Sequence, residues 1–154
     1  MRNVILFILI CLSCSYSSLA QGQDPDLPQY LQNEAFAKMG LPFSQAVRLG
    51  NVLYLSGQLG NVSNSMRLAE GGIGPETAQT MENIKAVLEE NGSSMDQVIK
   101  CTCMLADMAE WPAMNEVYAK YFPNNKPARS AFGTSGLALG ARVEIECMAY
   151  VNDD

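Results

Sequence analysis

The chain reads as an α/β protein, a two-layer sandwich whose mixed sheet carries two helices on one face. Three observations predict it. Ile99, Cys101, Cys103 and Leu105 alternate with Lys100, Thr102 and Met104. Val143, Ile145, Cys147, Ala149 and Val151 alternate with Glu144, Glu146, Met148 and Tyr150. A period of two sends successive side chains to opposite faces of a strand. Elsewhere the period changes. Thr77, Met81, Ile84 and Leu88, and again Met114, Val117, Tyr118 and Tyr121, recur at the spacing of one helical face. The resulting order, β-β-α-β-α-β-β, packs as one sheet with its crossover helices.

Residues 1–20 have the pattern of a secretory signal peptide. Val4 to Leu12 is an apolar run too short to span a bilayer, and Ser18-Leu19-Ala20 offers small residues for cleavage after Ala20. The chain is therefore expected to be exported, either periplasmic or secreted. Cleavage ahead of Cys14 with lipid attachment is the alternative, although Cys11-Leu12-Ser13 fits that pattern poorly. With Pro25 and Pro28, 21–33 reads as a mobile arm, and 34–154 as one domain with its own core.

Pro42-Phe43-Ser44 leads into a strand at Gln45 to Leu49, and Gly50-Asn51 turns the chain into a second strand, Val52 to Leu55. A further short strand is an option around Glu34 to Met39. Ser56-Gly57-Gln58 ends the second strand, and the loop from Leu59 to Gly74 is long enough to suggest a task. Pro75 suits the first turn of a helix that Asn91-Gly92 stops. Asp107, with Glu110 three residues on, makes a capping-box-like start for the second helix, and Pro123 ends it. The last two strands, around Arg129 and Glu144, are joined by a Gly-rich turn and are expected to pair as an antiparallel hairpin with Gly133 opposite Gly140.

Ten basic residues face sixteen acidic ones, a formal charge of −6, and loss of Arg2 with the signal makes the balance one unit more acidic. No basic stripe is present, which argues against a nucleic-acid partner. Of the five cysteines, Cys11 and Cys14 leave with the signal. Cys101, Cys103 and Cys147 remain, an odd number and a poor disulfide framework. Cys101 and Cys103 point the same way from one strand and are badly placed to bridge each other, whereas Cys147 reaches one of them only from an adjacent strand. The favoured reading is three small buried hydrophobes, and zinc would lack a fourth ligand.

In the expected hairpin Arg129 lies opposite Glu144, so both project from one face. The chain has no histidine, and chemistry must rest on carboxylates, hydroxyls, thiols or such a charged pair. From the residues alone, a cross-strand ion pair is the plainer account. The face bearing Glu144, Glu146, Met148 and Tyr150 mixes carboxylates with large apolar groups, which suits an interface, so an oligomer is expected.

The run Leu49 to Gln58, the Thr77 to Leu88 helix with Asn83-Ile84-Lys85, Asn115 ahead of Tyr118, and Pro127-Ala128-Arg129-Ser130 with Val143-Glu144-Ile145-Glu146 together resemble the RidA (YjgF-like) family, from Glu34 to Val151. The resemblance implies a chorismate-mutase-like fold, a homotrimer with clefts between subunits, and hydrolysis of reactive 2-imino or enamine acids to 2-keto acids and ammonia. It implies no metal or organic cofactor. It also implies roles: Arg129 binds the substrate carboxylate, Glu144 positions water, and Ser56 and Asn115 line the pocket. Phe43 stands where many active members carry tyrosine and Ala131 where many carry cysteine, so the pocket wall lacks a hydroxyl and a thiol. The partners so implied are a small 2-imino acid and further copies of the chain, with no nucleic acid and no membrane unless Cys14 is lipidated. Phe43 and Ala131 motivate an alternative, an exported ligand-binding or protective protein of the same fold without turnover. Ribonuclease activity, also attached to the family, fits poorly with an acidic chain that lacks histidine.

Overall fold

The computed structural model describes residues 27–62 and 65–152; the expected signal peptide, and the arm up to residue 26, lie outside the described residues. The strands are β1 (Gln29–Leu31), β2 (Ala46–Leu49), β3 (Val52–Leu55), β4 (Gln58–Leu59), β5 (Val98–Leu105), β6 (Ala128–Gly133) and β7 (Val143–Tyr150). The helices are α1 (Glu34–Lys38), α2 (Ile73–Glu90) and α3 (Trp111–Tyr118). One sheet runs in the order β1-β2-β3-β7-β5-β6, with β4 also paired to β7. Among the described strands only β5 and β6 pair in parallel; α3 makes their crossover, so the sheet is mixed, as the sequence predicts.

The core lies between this sheet and the two long helices. Met81, Ile84, Val87 and Leu88 of α2 and Met114 and Tyr118 of α3 pack on Leu53, Leu55, Cys103, Leu105, Val143, Ile145 and Ala149. Helix α2 ends where it was expected to, at Asn91, with Gly92 at φ 76° in the left-handed region that glycine enters freely. Tyr54, Phe132, Met148 and Tyr150 stand exposed on the opposite side, leaving a sheet face that none of the described elements covers.

Several local readings are corrected. The segment at Glu34–Lys38 is a short helix, not a strand, because Asn33 caps it by accepting a hydrogen bond from the Phe36 N–H at 2.9 Å. The arm expected to reach residue 33 already joins the sheet at β1, which pairs with β2. Asp107 caps a 3-10 turn, Met108–Glu110, rather than α3 itself, while Glu110 pairs with Arg142. Along β5, a register irregularity between Val98 and Lys100 turns Val98 into the core and Ile99 outward, reversing the expected start of the alternation.

The hairpin of the last two strands does not form. β5 lies between β6 and β7, pairing parallel with one and antiparallel with the other. The connection from Thr134 to Arg142 passes the end of β5, where the Thr134 N–H donates to Leu105 O at 2.8 Å and the Ala106 N–H to Arg142 O at 2.9 Å. Both edges of the long central strand thereby find partners, which a hairpin built beside it would not provide.

The same topology overturns the reading of three free buried thiols. Cys101 stands directly opposite Cys147 on antiparallel neighbours, and the two form a disulfide; Cys103 is buried and free. In protein comprising residues 21–154, denaturation is expected to release one thiol to Ellman reagent without reductant and all three after reduction. Closing a loop across 46 residues should stabilise the fold by about 2–4 kcal/mol. Comparison of denaturant unfolding for the oxidised and reduced forms checks it, and three thiols without reductant would refute the bond.

Candidate active site: two half-sites on opposite faces

One group of site residues gathers where α3 meets β6, an edge strand. Trp111, Asn115 and Tyr118 follow one another at four and then three residues, so a single stripe of α3 faces the sheet. Arg129 reaches up to that stripe. Its Nη1 donates to Asn115 Oδ1 at 2.6 Å, and its guanidinium carbon lies 4.8 Å from the centroid of the Tyr118 ring and 5.9 Å from that of Trp111. Ala131, two residues along β6, shares this side and is half-buried. Cys103, its partner in register on β5, is no nucleophile at neutral pH. Burial pushes the thiol up to about 11, with the nearby charges of Arg129 and Lys100 only partly opposing it. Burial likewise raises the Tyr118 hydroxyl well above its ordinary value.

A second group gathers where β3 gives way to β4 along β7. Tyr54 pairs with Met148 and Gln58 with Ile145, so three residues, Leu55 to Gly57, stand against two, Glu146 and Cys147. The extra residue is a bulge. It carries Ser56, whose Oγ donates to Ser44 O at 2.7 Å and whose N–H donates to Gln45 O at 3.1 Å. It also carries Gly57, and the Glu144 carboxylate occupies the space beside that glycine. A Cβ on Gly57 would stand 2.0 Å from Glu144 Oε1, so a side chain here would push the carboxylate out of this position. Phe43, next to Ser44, is 49% exposed and meets Phe36 edge-to-face at 5.8 Å. Burial, and then the like charge of Glu146 on the same face, raise Glu144 above the ordinary carboxylate range.

Helix α2 fixes this second group from behind. The buried Glu76 accepts hydrogen bonds from the Arg142 N–H at 2.7 Å and the Val143 N–H at 3.4 Å, immediately before Glu144. Asn83 Nδ2 donates to Leu59 O at 2.8 Å and Asn61 O at 3.0 Å, tying β4 and its loop to the helix.

Arg129 and Glu144 are not brought together. Arg129 is in register with Cys101, and Cys101 with Cys147, all on the helix-covered face. Glu144 is three residues from Cys147 and opposite Met104, hence on the uncovered face. The expected face-sharing pair is corrected: it assumed a hairpin, and the interposed β5 sets the parity instead. Asn115 with Arg129 and Ala131, and Phe43 with Ser56 and Glu144, are the two sets the fold assembles. Sequence reading did not single out Trp111, Gly57 or Glu76 as site residues. The helical stripe held a signal for the first; the other two depend on contacts between distant elements.

Fold and site together define an α/β sandwich that holds a guanidinium on one face and a shielded carboxylate on the other. A family model described as Endoribonuclease L-PSP matches residues 34–151, and the chain belongs to that family, the RidA (YjgF-like) proteins. It is 45% identical over 109 residues to a RutC family protein of Pyrococcus horikoshii, covering 71% of this chain and 86% of that one. The 2-iminobutanoate/2-iminopropanoate deaminase of Homo sapiens is 39% identical over 108 residues, covering 70% of this chain and 79% of the relative. Among solved structures, RidA from an Antarctic Psychrobacter bacterium superposes with a TM-score of 0.68 at 35% identity, covering 84% of this chain and 97% of that one.

Replacing Glu76 by Ala should leave the Arg142 and Val143 N–H groups without their acceptor and lower unfolding free energy by about 1–3 kcal/mol. Chemical denaturation measures the loss. A Glu76→Ala protein as stable as the parent would contradict this role.

Proposed function

We propose that this chain, assembled as a homotrimer, hydrolyses reactive 2-imino and enamine acids to 2-keto acids and ammonia. The observation that carries the reading is Arg129. Its guanidinium has one nitrogen occupied by Asn115, and the remaining N–H groups suit two parallel bonds to a substrate carboxylate. Glu144, half-buried beside Gly57, is made a stronger base than an ordinary glutamate by burial and by the like charge of Glu146, which suits it to take a proton from water. Because the two groups occupy opposite faces of one sheet, the cleft that uses both lies between copies. The uncovered face bearing Tyr54, Phe132, Met148 and Tyr150 suits such an assembly.

The chemistry needs little more. Glu144 orients a water and takes one of its protons as the oxygen bonds to the imine carbon; the C=N electron pair moves to nitrogen, which receives that proton from Glu144. The regenerated carboxylate then takes the hydroxyl proton of the carbinolamine and passes it to the nitrogen as C=O forms, the C–N bond breaks and ammonia leaves. Ser56 and the backbone around Ala131 hold the imine end. The barrier is low even in water, so positioning supplies enough acceleration. Phe43 and Ala131 serve as walls. The Cys101–Cys147 disulfide supports the export reading, because such bonds persist in oxidising compartments.

The test generates 2-iminobutanoate in situ from threonine with a dehydratase, adds residues 21–154, and traps remaining imine with semicarbazide. Arg129→Ala should lower kcat/KM on the order of 100-fold, the loss of charge-assisted bonds. Gly57→Ala should keep the fold, since the half-exposed Glu144 side chain can swing away, but displace the water-positioning group and cost about 10²-fold. Equal imine loss with the parent and Arg129→Ala would sink the assignment and favour ligand binding without turnover.

The pH profile gives a separate check. Glu144 acts as carboxylate, and its ionisation is raised, so activity should fall as pH drops through a value above the ordinary glutamate range. Removing the like charge with Glu146→Gln lowers that ionisation and should move the acid limb to lower pH. An acid limb unmoved by Glu146→Gln would argue against Glu144 as the titrating group.

A further inference from the structure

Arg129 is held by two aromatic rings as well as by Asn115, and all three come from one stripe of α3. Among the described residues no carboxylate lies within ion-pair distance of its guanidinium. Tyr118 is only 7% exposed, yet its hydroxyl has no hydrogen-bond partner among the described residues. A buried tyrosine hydroxyl ordinarily finds one, so the ring is what this position uses. Trp111 is 38% exposed, and burial alone gives little reason for the largest side chain there.

We propose that Trp111 and Tyr118 are positioning residues that set the plane of the Arg129 guanidinium for an incoming carboxylate; this rests on the carboxylate-binding role of Arg129 given above. The physical reason lies in how each kind of partner holds a guanidinium. A carboxylate neighbour would occupy the same N–H fork that the substrate needs. An aromatic face attracts the cation through its ring quadrupole and leaves the N–H groups free. Asn115 takes one N–H and fixes rotation about the guanidinium axis, while the rings fix its tilt. Tyr118 does so from within the core and Trp111 from the rim, where a bound carboxylate would come close to the indole.

Trp111 is the sole tryptophan of the chain, so the parent protein reports on this directly. Titration with 2-oxobutanoate, the expected product, should change tryptophan emission saturably in the parent and not in Arg129→Ala. In the deaminase assay Trp111→Ala should raise KM roughly three- to tenfold, the range a cation–π contact spans, with kcat changed far less. Trp111→Phe should recover most of that loss, since it restores a ring. A flat emission titration in the active parent overturns the proposal. So does a Trp111→Ala KM within twofold of the parent while Arg129→Ala is inactive, and in that case the deaminase reading stands. Full activity in Arg129→Ala overturns both.

Discussion

Everything at this site follows from the parity of one sheet. β5 separates β6 from β7, and the in-register row Arg129–Cys101–Cys147 assigns each of these residues to the helix-covered face. Glu144, an odd number of residues from Cys147 along an unbulged stretch of β7, can only face the other way. No side-chain rearrangement brings the two together, because the sheet itself stands between them. A single subunit therefore keeps the two groups apart, and on the proposed reading the uncovered face next to the carboxylate is the surface through which copies would bring them together.

The two halves are built on different principles. Around Arg129 the cation is stabilised by an amide oxygen and aromatic faces, all from one helix, so a single rigid element sets its geometry. Around Glu144 the surroundings disfavour the charge: burial and Glu146 both raise its ionisation. By linkage, a carboxyl raised on folding contributes stability below its unfolded pKa, and that contribution is lost as pH rises through the folded value. The fold accepts this cost at neutral pH, while α2 holds the neighbouring backbone through Glu76 and Asn83. A destabilised carboxylate beside a firmly held bulge suits the proton abstraction from water proposed for it.

How much of this was legible in the sequence depends on the range of the interaction. Helix α2 and the two faces of β7 were readable because periodicity is local, and the core positions Met81, Ile84, Leu88, Val143 and Ile145 fell where it put them. Arg129, Asn115, Ser56 and Glu144 were singled out by resemblance to family motifs, and the fold sets Asn115 against Arg129 and Ser56 and Glu144 around one bulge. The hairpin failed because Gly133 and Gly140 suggest a local turn, whereas pairing is decided by β5, a partner far away in sequence. The disulfide was hidden for the same reason, since which cysteines meet depends on which strands are neighbours. Ile99 was misplaced by a single register irregularity. Gly57 looked like a strand end, and only the approach of Glu144 shows that a side chain there would displace the carboxylate.

The claim that two copies build each site has a direct test by subunit mixing. Arg129→Ala removes one half-site and Glu144→Ala the other, so each variant alone should be inactive towards 2-iminobutanoate. Dissociating and reassembling the two together at equal amounts should restore about one quarter of the parent activity, because in a symmetric ring random assembly unites an intact half from each variant at that fraction of clefts. Recovery at that level would place Arg129 and Glu144 of different copies in one cleft. No recovery from verified mixed assemblies would contradict the account.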